Sequence, residues 1–247
     1  MEWRDTGIVL GARRHGESAA ILEVLTENHG RHMGLVRGAR SKNLRSFLQT
    51  GNTLKLQWRA RLSEHLGNFT VEPDRSRAAD LLDNPLALAG VRAVAALASA
   101  ALPEREPHAP LFHGLSYWLD TVEDESVWPA LLVRWELALI NELGFGLDFS
   151  CCAATGTTED LIYVSPKSGR AVSREGGAAY KDKMLPLPGF LLSSQNADPT
   201  VQDVLDGFRM TEYFIARHVL APHQVDLPET RQHFLGLLQR NASVGAN

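Results

Sequence analysis

The spacing of apolar residues changes its period close to Pro73 in this 247-residue chain. Before that point, short runs rich in β-branched and aromatic residues alternate with glycine, asparagine and histidine, which is typical of β-strands. The clearest run is 53–59, where Leu54, Leu56 and Trp58 share one face and polar or basic residues take the other. After Pro73, apolar residues recur at helical spacing. Strands followed by helices predict an α+β protein.

Strands are predicted at 18–26, 32–37, 53–59 and 66–72. Their close spacing, and the basic outer face of 53–59, fit a small five-stranded barrel of the oligonucleotide-binding type, whose closure removes exposed sheet edges. Helices are predicted at 85–102, 111–122 and 127–143, and further ones at 200–220 and 227–240 complete the same bundle. Between them, 145–190 is rich in glycine, serine and proline and has one clear strand, at 161–165, which indicates an irregular insertion.

These patterns predict four parts in chain order. The barrel takes residues 1–77, and the first part of the helical domain takes 78–147. An inserted module follows at 148–192, and the C-terminal helices at 193–247 complete the helical domain.

Positive charge is concentrated in the predicted barrel. Residues 1–77 hold 13 Lys and Arg against 8 Asp and Glu, whereas the remainder holds 12 against 21. The segment 28–63 contains no carboxylate, and its basic residues are Arg31, Arg37, Arg40, Lys42, Arg45, Lys55, Arg59 and Arg61. Such segregation favours a polyanionic partner, most simply a phosphate backbone. The alternative is that these side chains only solvate one face of an ordinary domain.

Other kinds of site find little support. No apolar stretch reaches the length of a membrane span, and the N-terminal residues do not form a secretory signal. Cys151 and Cys152 are adjacent and lack further thiolates or imidazoles at the paired spacing of a zinc site, so no metal and no cofactor are predicted. No catalytic set stands out in the sequence, which favours a cytoplasmic binding protein over an enzyme.

The order of several segments resembles the RecO family of bacterial DNA repair and recombination proteins. In the N-terminal part these segments are Gly7-Ile8-Val9-Leu10, Arg14-His15-Gly16-Glu17, Leu25-Thr26, Gly30-Arg31 and Gly34-Leu35-Val36-Arg37-Gly38-Ala39-Arg40-Ser41. Further on they are Arg134-Trp135-Glu136, Leu143-Gly144-Phe145, Leu185-Pro186-Leu187-Pro188, and Leu227-Pro228 with Arg231 and Phe234. The resemblance spans nearly the whole chain, and its specificity lies in the ordered set, because no single motif is diagnostic.

The resemblance also implies a departure from the family pattern. Many members carry two Cys-x-x-Cys pairs that bind zinc in the inserted module, and the matching positions here are Cys152, Thr155, Ser173 and Gly176. Only one thiol remains, so we expect a degenerate, metal-free version of the zinc-ribbon-like module.

The resemblance implies that the chain is a recombination mediator of the RecFOR pathway, associated with the nucleoid. It would bind single- and double-stranded DNA, anneal complementary strands and, with RecR, help to load RecA onto DNA covered by single-stranded-DNA-binding protein (SSB). The predicted DNA-binding residues are Arg14, Arg31, Arg37, Arg40, Lys42, Arg45, Phe47, Arg59 and Arg61. Phe47 is the candidate platform for base stacking, since Trp58 lies on the apolar face of its strand and is expected in the core.

Contact with the acidic, apolar C-terminal tail of SSB implies a pocket with a cation in the helical domain. Arg134 is the predicted cation, and a structural salt bridge with Glu136 or Asp148 is the alternative role for it.

Two other classes of function stay open from the sequence alone. An RNA-binding module is one, because similar barrels bind both nucleic acids. A hydrolase using histidine and carboxylates from the acidic half is the other.

Overall fold

The computed structural model describes residues 1–78, 80–122, 124, 127–192 and 198–245. The chain forms two compact units, the first from Met1–Asp120 with Pro228–Leu237 and the second from Thr121–Leu227 with Leu238–Asn247. The predicted boundary at residue 193 falls in 193–197, outside the described residues, so the four-part division made from the sequence stays a prediction.

Among the described residues, no helix is both long and apolar enough to cross a membrane.

The first unit is built on a closed barrel of five strands. They are β1 (Glu2–His15), β2 (Ala19–Thr26), β3 (Gly30–Val36), β4 (Thr53–Arg59) and β5 (Asn68–Arg75). They close in the order β1-β2-β3-β5-β4, with β4 returning to pair with β1. All neighbours are antiparallel except β3 and β5, which meet in parallel where Leu35 lies beside Asn68. The predicted closed five-stranded barrel is confirmed.

Alternating apolar residues fill the barrel. Leu54, Leu56 and Trp58 of β4 all point inward, as the sequence pattern indicates, and pack with Leu22, Val24 and Val36 from the neighbouring strands. Gly34 is required at its place because an added Cβ would lie 2.4 Å from the ring of Phe69. A buried core of this kind leaves the outer face of each strand to polar and basic side chains.

The first unit also contains helices. Their bounds are α1 (Lys42–Phe47), α2 (Pro85–Ala101) and most of α3 (Ala109–Thr121). Asn84 caps α2 by accepting a hydrogen bond from the amide of Ala87 at 2.9 Å, and Pro85 takes the first helical position, where its missing N–H costs nothing. Buried Arg77 joins the end of the barrel to α3, because its guanidinium donates to Asp120 at 2.7 and 2.9 Å.

The second unit combines helices with a small antiparallel sheet. Its elements are α4 (Trp128–Glu142), β6 (Leu161–Val164), β7 (Ala171–Ser173), α5 (Arg174–Gly177), β8 (Leu185–Pro186) and α6 (Val201–Phe214). The strand order is β7-β6-β8. A capping box between Thr200 and Asp203 starts α6, which continues as a π-helical turn over Ile215–Leu220. The last helix, α7 (Glu229–Gly245), contributes to both units.

The structure adds elements that the sequence patterns do not predict. Strand β1, helix α1, and strands β7 and β8 are the main ones. Thr53 is also buried, although the alternation of β4 predicts an outward position. The reason is a hydrogen bond of 2.6 Å, in which Arg77 Nη1 donates to the Thr53 hydroxyl, so this polar residue is satisfied inside the first unit.

Candidate nucleic-acid interface

The short helix α1 is amphipathic and carries basic residues on its outer face. Leu44, Phe47 and Leu48 pack against the barrel core, while Lys42 and Arg45 are exposed. The Ser41 hydroxyl accepts a hydrogen bond from the amide of Leu44 at 3.4 Å and caps the start of the helix. The helix is therefore anchored to the barrel by its apolar face and exposes two cations to solvent.

The turn between β1 and β2 lies at the same edge of the barrel. Arg14 lies opposite Ala20 in the β1–β2 ladder, and Ala20 lies opposite Val36 in the next ladder, one residue before Arg37. The guanidinium of Arg40 donates to the carbonyl of Glu17 at 2.7 Å, which ties the segment before α1 to the β1–β2 turn. Two parts of the chain that are well separated in sequence thus converge.

We call this edge the basic rim. Its members are Arg13, Arg14, Arg37, Arg40, Lys42 and Arg45. All six are exposed, and none of them forms an ion pair with another described residue. A surface of unpaired, clustered cations attracts a polyanion because each phosphate contact releases condensed counterions.

Two of the predicted DNA-binding arginines are already engaged by carboxylates. Arg31 donates to Glu23 at 2.7 Å and to the carbonyl of Leu102 at 2.7 Å, and its side chain is largely buried. Arg59 forms a bidentate pair with Glu2, at 2.8 and 3.0 Å, and hydrogen bonds from Arg59, then Gln57, lower the pKa of that carboxyl. Both arginines therefore have a structural partner and lie outside the basic rim.

The remaining predicted cation, Arg61, lies on the loop that joins β4 to β5. It is exposed and has no ion pair with a described residue. The amide of Leu35 donates to the carbonyl of Gly67 at 3.0 Å, so this loop returns to the barrel two residues from Arg37.

The two aromatic candidates belong to the barrel core to different degrees. Trp58 is 2% exposed, and its indole N–H donates to the carbonyl of Leu66 at 3.0 Å, which confirms its predicted place in the core. Phe47 is half-buried against the barrel core cluster. Neither ring stands out as an open stacking surface.

Sequence reasoning missed two residues of this region. Arg13 belongs to the rim beside Arg14, and only recognition of β1 as a strand leading into a hairpin would indicate it. Asn52 is 1% exposed, and its amide donates to the carbonyls of Ser46 and Phe47 at 3.0 and 3.1 Å, which holds the end of α1. An isolated asparagine after glycine carries no signal of that role in sequence.

Arg134, the predicted partner-binding cation, lies half-buried on α4. Its guanidinium donates a hydrogen bond to the carbonyl of Phe190. The central carbon of the guanidinium lies 5.9 Å from the centre of the Phe190 aromatic ring. Of the two carboxylates considered as its partners, Glu136 accepts a hydrogen bond from Thr211, and Asp148 pairs with Arg170 at 3.3 Å.

The four positions matched to zinc ligands converge in the second unit. The amide and hydroxyl of Ser173 donate to Cys152 Sγ at 3.2 and 3.3 Å, and a Cβ at Gly176 would lie 3.0 Å from the same sulfur. Burial opposes ionisation of Cys152, but hydrogen bonds from Ser173 and Thr155 outweigh it and lower the pKa of the thiol to about 6. One thiol with hydroxyl neighbours does not fit zinc, which takes thiolate or imidazole ligands in structural sites. Among the described residues, no group of three or more histidine, cysteine or acidic side chains is placed to hold a metal ion.

A closed five-stranded barrel with a cationic edge, followed by helices and a small sheet, defines an α+β barrel protein. Comparison with known families places it more closely. Residues 1–76 match the family described as recombination protein O N terminal, and residues 82–226 match recombination protein O C terminal. The chain therefore belongs to the RecO family.

Individual relatives match this chain over nearly the full length of both proteins. A protein of Mesorhizobium japonicum named DNA repair protein RecO is 51% identical over 243 residues, covering 98% of this chain and 95% of the relative. Its namesake from Bradyrhizobium sp. is 52% identical over 241 residues and 97% of both chains. Another from Chelativorans sp. is 50% identical over 245 residues, covering 99% of this chain and 98% of the relative.

Proposed function

We propose that this protein acts in DNA repair as a recombination mediator that binds DNA through the basic rim. The single observation that carries the proposal is the convergence of six exposed cations, none paired to a described carboxylate, at one edge of an oligonucleotide-binding type of barrel. Family membership supports the biological setting, because relatives of similar length are named DNA repair proteins.

A charge-reversal experiment tests the proposed DNA-binding surface. The triple variant Arg37→Glu, Arg40→Glu and Arg45→Glu should bind single-stranded DNA much more weakly. The slope of log affinity against log salt concentration should flatten by about two units, at about 0.7 for each of three lost contacts. A matched control with the same change in charge reverses the exposed lysines Lys167, Lys181 and Lys183 of the second unit. Unchanged affinity of the rim variant at low salt would contradict the proposal.

Annealing of complementary strands follows from the same electrostatics. Two strands repel through their phosphates, and a cationic rim that screens both at once lowers the cost of bringing them together. No covalent bond changes, so the proposed activity is not enzymatic. We expect the rim variant to lose annealing of fluorescently labelled complementary oligonucleotides together with binding.

The proposed partners are RecR, the C-terminal tail of SSB and, indirectly, RecA, as the family resemblance implies. Arg134 remains the candidate cation for the tail carboxylate, although its hydrogen bond to Phe190 must then open or be shared. Titration of a labelled acidic, apolar tail peptide against the unaltered protein and Arg134→Ala tests this role. Equal affinities would assign Arg134 to structure alone.

RNA is the second candidate ligand, because a cationic barrel does not by itself distinguish a 2′-hydroxyl. Competition between DNA and RNA oligonucleotides of the same sequence separates the two. We expect DNA to compete more effectively, because relatives of similar length are named DNA repair proteins.

We further propose that the small sheet of the second unit is a metal-free relative of a zinc-ribbon-like module. The convergence of Thr155, Ser173 and Gly176 around Cys152 supports this origin. The variant with cysteine at those three positions should bind one zinc ion with tetrahedral thiolate coordination, measured by competition with a chromophoric chelator. Absence of binding in the folded triple variant would contradict the proposal.

A further inference from the structure

The loop between β4 and β5 presents two leucines to solvent. Leu62 is 46% exposed and Leu66 is 37% exposed. Single exposed leucines are common on protein surfaces and need no explanation by themselves. Here the two lie on one short loop beside the exposed cation Arg61.

This loop is held in place by side chains from elsewhere in the first unit. The guanidinium of Arg105 donates to the carbonyls of Ser63, Glu64 and His65 at 2.5, 3.2 and 3.1 Å. The backbone amide of Arg105 in turn donates to the carbonyl of Arg31 on β3 at 2.8 Å. Arg105 thus fastens the loop to the barrel.

A second contact fixes the return of the loop. The indole N–H of buried Trp58 donates to the carbonyl of Leu66, and Gly67 follows with a positive φ of 68°. A Cβ at Gly67 would lie 2.3 Å from the Trp58 ring nitrogen, so glycine allows the chain to pass over the ring. The two leucines are therefore displayed by an ordered backbone, which reduces the entropy that binding must overcome.

The position of the loop relates it to the basic rim. The hydrogen bond from the Leu35 amide to the Gly67 carbonyl places Gly67, the residue after Leu66, beside Leu35, two residues before Arg37. Two exposed leucines on an ordered loop that returns to the barrel near the rim suit the uncharged bases of a strand whose phosphates lie on the rim.

Non-specific binding of a single strand uses a cationic track together with apolar side chains that contact unstacked bases. The aromatic candidates offer little free surface, because Trp58 is buried and Phe47 packs against the core. We infer that Leu62 and Leu66 form the base-contacting surface of this barrel, and that their ligand is the unpaired nucleobases of a single strand. The inference rests on the proposed function of the rim.

The test compares an oligothymidylate with an abasic oligonucleotide of the same length, in which phosphates remain and bases are absent. For Leu62→Ala with Leu66→Ala, affinity for the oligothymidylate should fall about tenfold while affinity for the abasic strand stays unchanged. Leu192→Ala, at a leucine that is 39% exposed in the second unit, is the control and should alter neither. Leu62, Leu66 and Leu192 are all exposed, so denaturant unfolding should show an intact fold for the double variant and for the control.

The outcomes separate the inference from the proposal beneath it. Equal loss for both oligonucleotides, or no loss for either, overturns the role of the leucines and leaves rim binding intact. Failure of the unaltered protein to bind either strand overturns the rim as well. A second variant, Arg105→Lys, keeps the charge but loses the guanidinium that holds the three loop carbonyls, so it releases the loop without touching the leucines and should also weaken binding to the oligothymidylate alone.

Discussion

Replacing Asn52 by alanine should destabilise the protein and disturb the basic rim together. The side-chain oxygen of Asn52 accepts from the amides of Arg77 and Ala78 at 2.8 and 3.0 Å. Its amide nitrogen donates to the carbonyls of Ser46 and Phe47 at the end of α1. Every polar capacity of this buried side chain is used, and alanine removes all four hydrogen bonds.

The size of the effect follows from which groups lose contact with water. Ser46 is exposed, so its carbonyl can exchange Asn52 for solvent at little cost. The amide of buried Arg77 and the carbonyl of half-buried Phe47 have less access to water. At about 1 to 3 kcal/mol for each unsatisfied buried group, we expect a loss of about 3 to 4 kcal/mol. That is a large part of a typical stability of about 5 to 15 kcal/mol.

Urea unfolding followed by tryptophan fluorescence measures the change, with Asn68→Ala as the control at an exposed asparagine of β5. The control should fall within about 0.5 kcal/mol of the unaltered protein. Asn52→Asp should be nearly as harmful, because its second carboxylate oxygen would face the two carbonyls at the end of α1. Hydrogen exchange at the α1 amides should accelerate in both Asn52 variants. A loss below about 1 kcal/mol with unchanged exchange would refute this reasoning.

Two further predictions concern pH and backbone conformation. Burial lowers the pKa of His32 from 6.5 to about 4, so the unfolded chain takes up a proton first, and stability should fall progressively between about pH 6.5 and 4. Replacing His32 by glutamine should flatten that part of the stability profile, whereas an unchanged profile would assign the effect to other groups. A Cβ at Gly30, where φ is 66°, would lie 1.9 Å from the carbonyl oxygen of Glu106, so Gly30→Ala should cost at least about 3 kcal/mol in denaturant unfolding. Gly38, at a φ of 68° with open space around its Cβ, should tolerate alanine for about 1 kcal/mol, and equal costs would contradict the assignment.

The periodicity of apolar residues predicted much of the fold. Strand β4 is found at the predicted 53–59, and α2 ends one residue before its predicted end. Strand β1 escaped because only residues 7–10 of its fourteen are buried, so most of the strand has no alternating apolar pattern. Strands β7 and β8 are three and two residues long, too short for any pattern to show.

The candidate site was less accessible from sequence, because charge counts do not show pairing. Arg31 and Arg59 look like the other basics in sequence, yet strand pairing brings Glu23 beside one and Glu2 beside the other. Those carboxylates come from strands β2 and β1, and only the register of the barrel decides which cations they neutralise. The grouping of Arg14 with Arg37 has the same origin.

Stability and proposed function are separable on this barrel. The arginines that stabilise the first unit are held by carboxylates or carbonyls, as Arg77 is by Asp120 and Arg31 is by Glu23. Among the described residues, none of the rim cations pairs with a carboxylate, although Arg40 donates to the carbonyl of Glu17. The mutual repulsion of the rim cations gives the fold no support. A cluster of like charges that does not stabilise the fold is best explained by a ligand of opposite charge. Loss of binding in a stable rim variant would therefore report on DNA contact and not on unfolding.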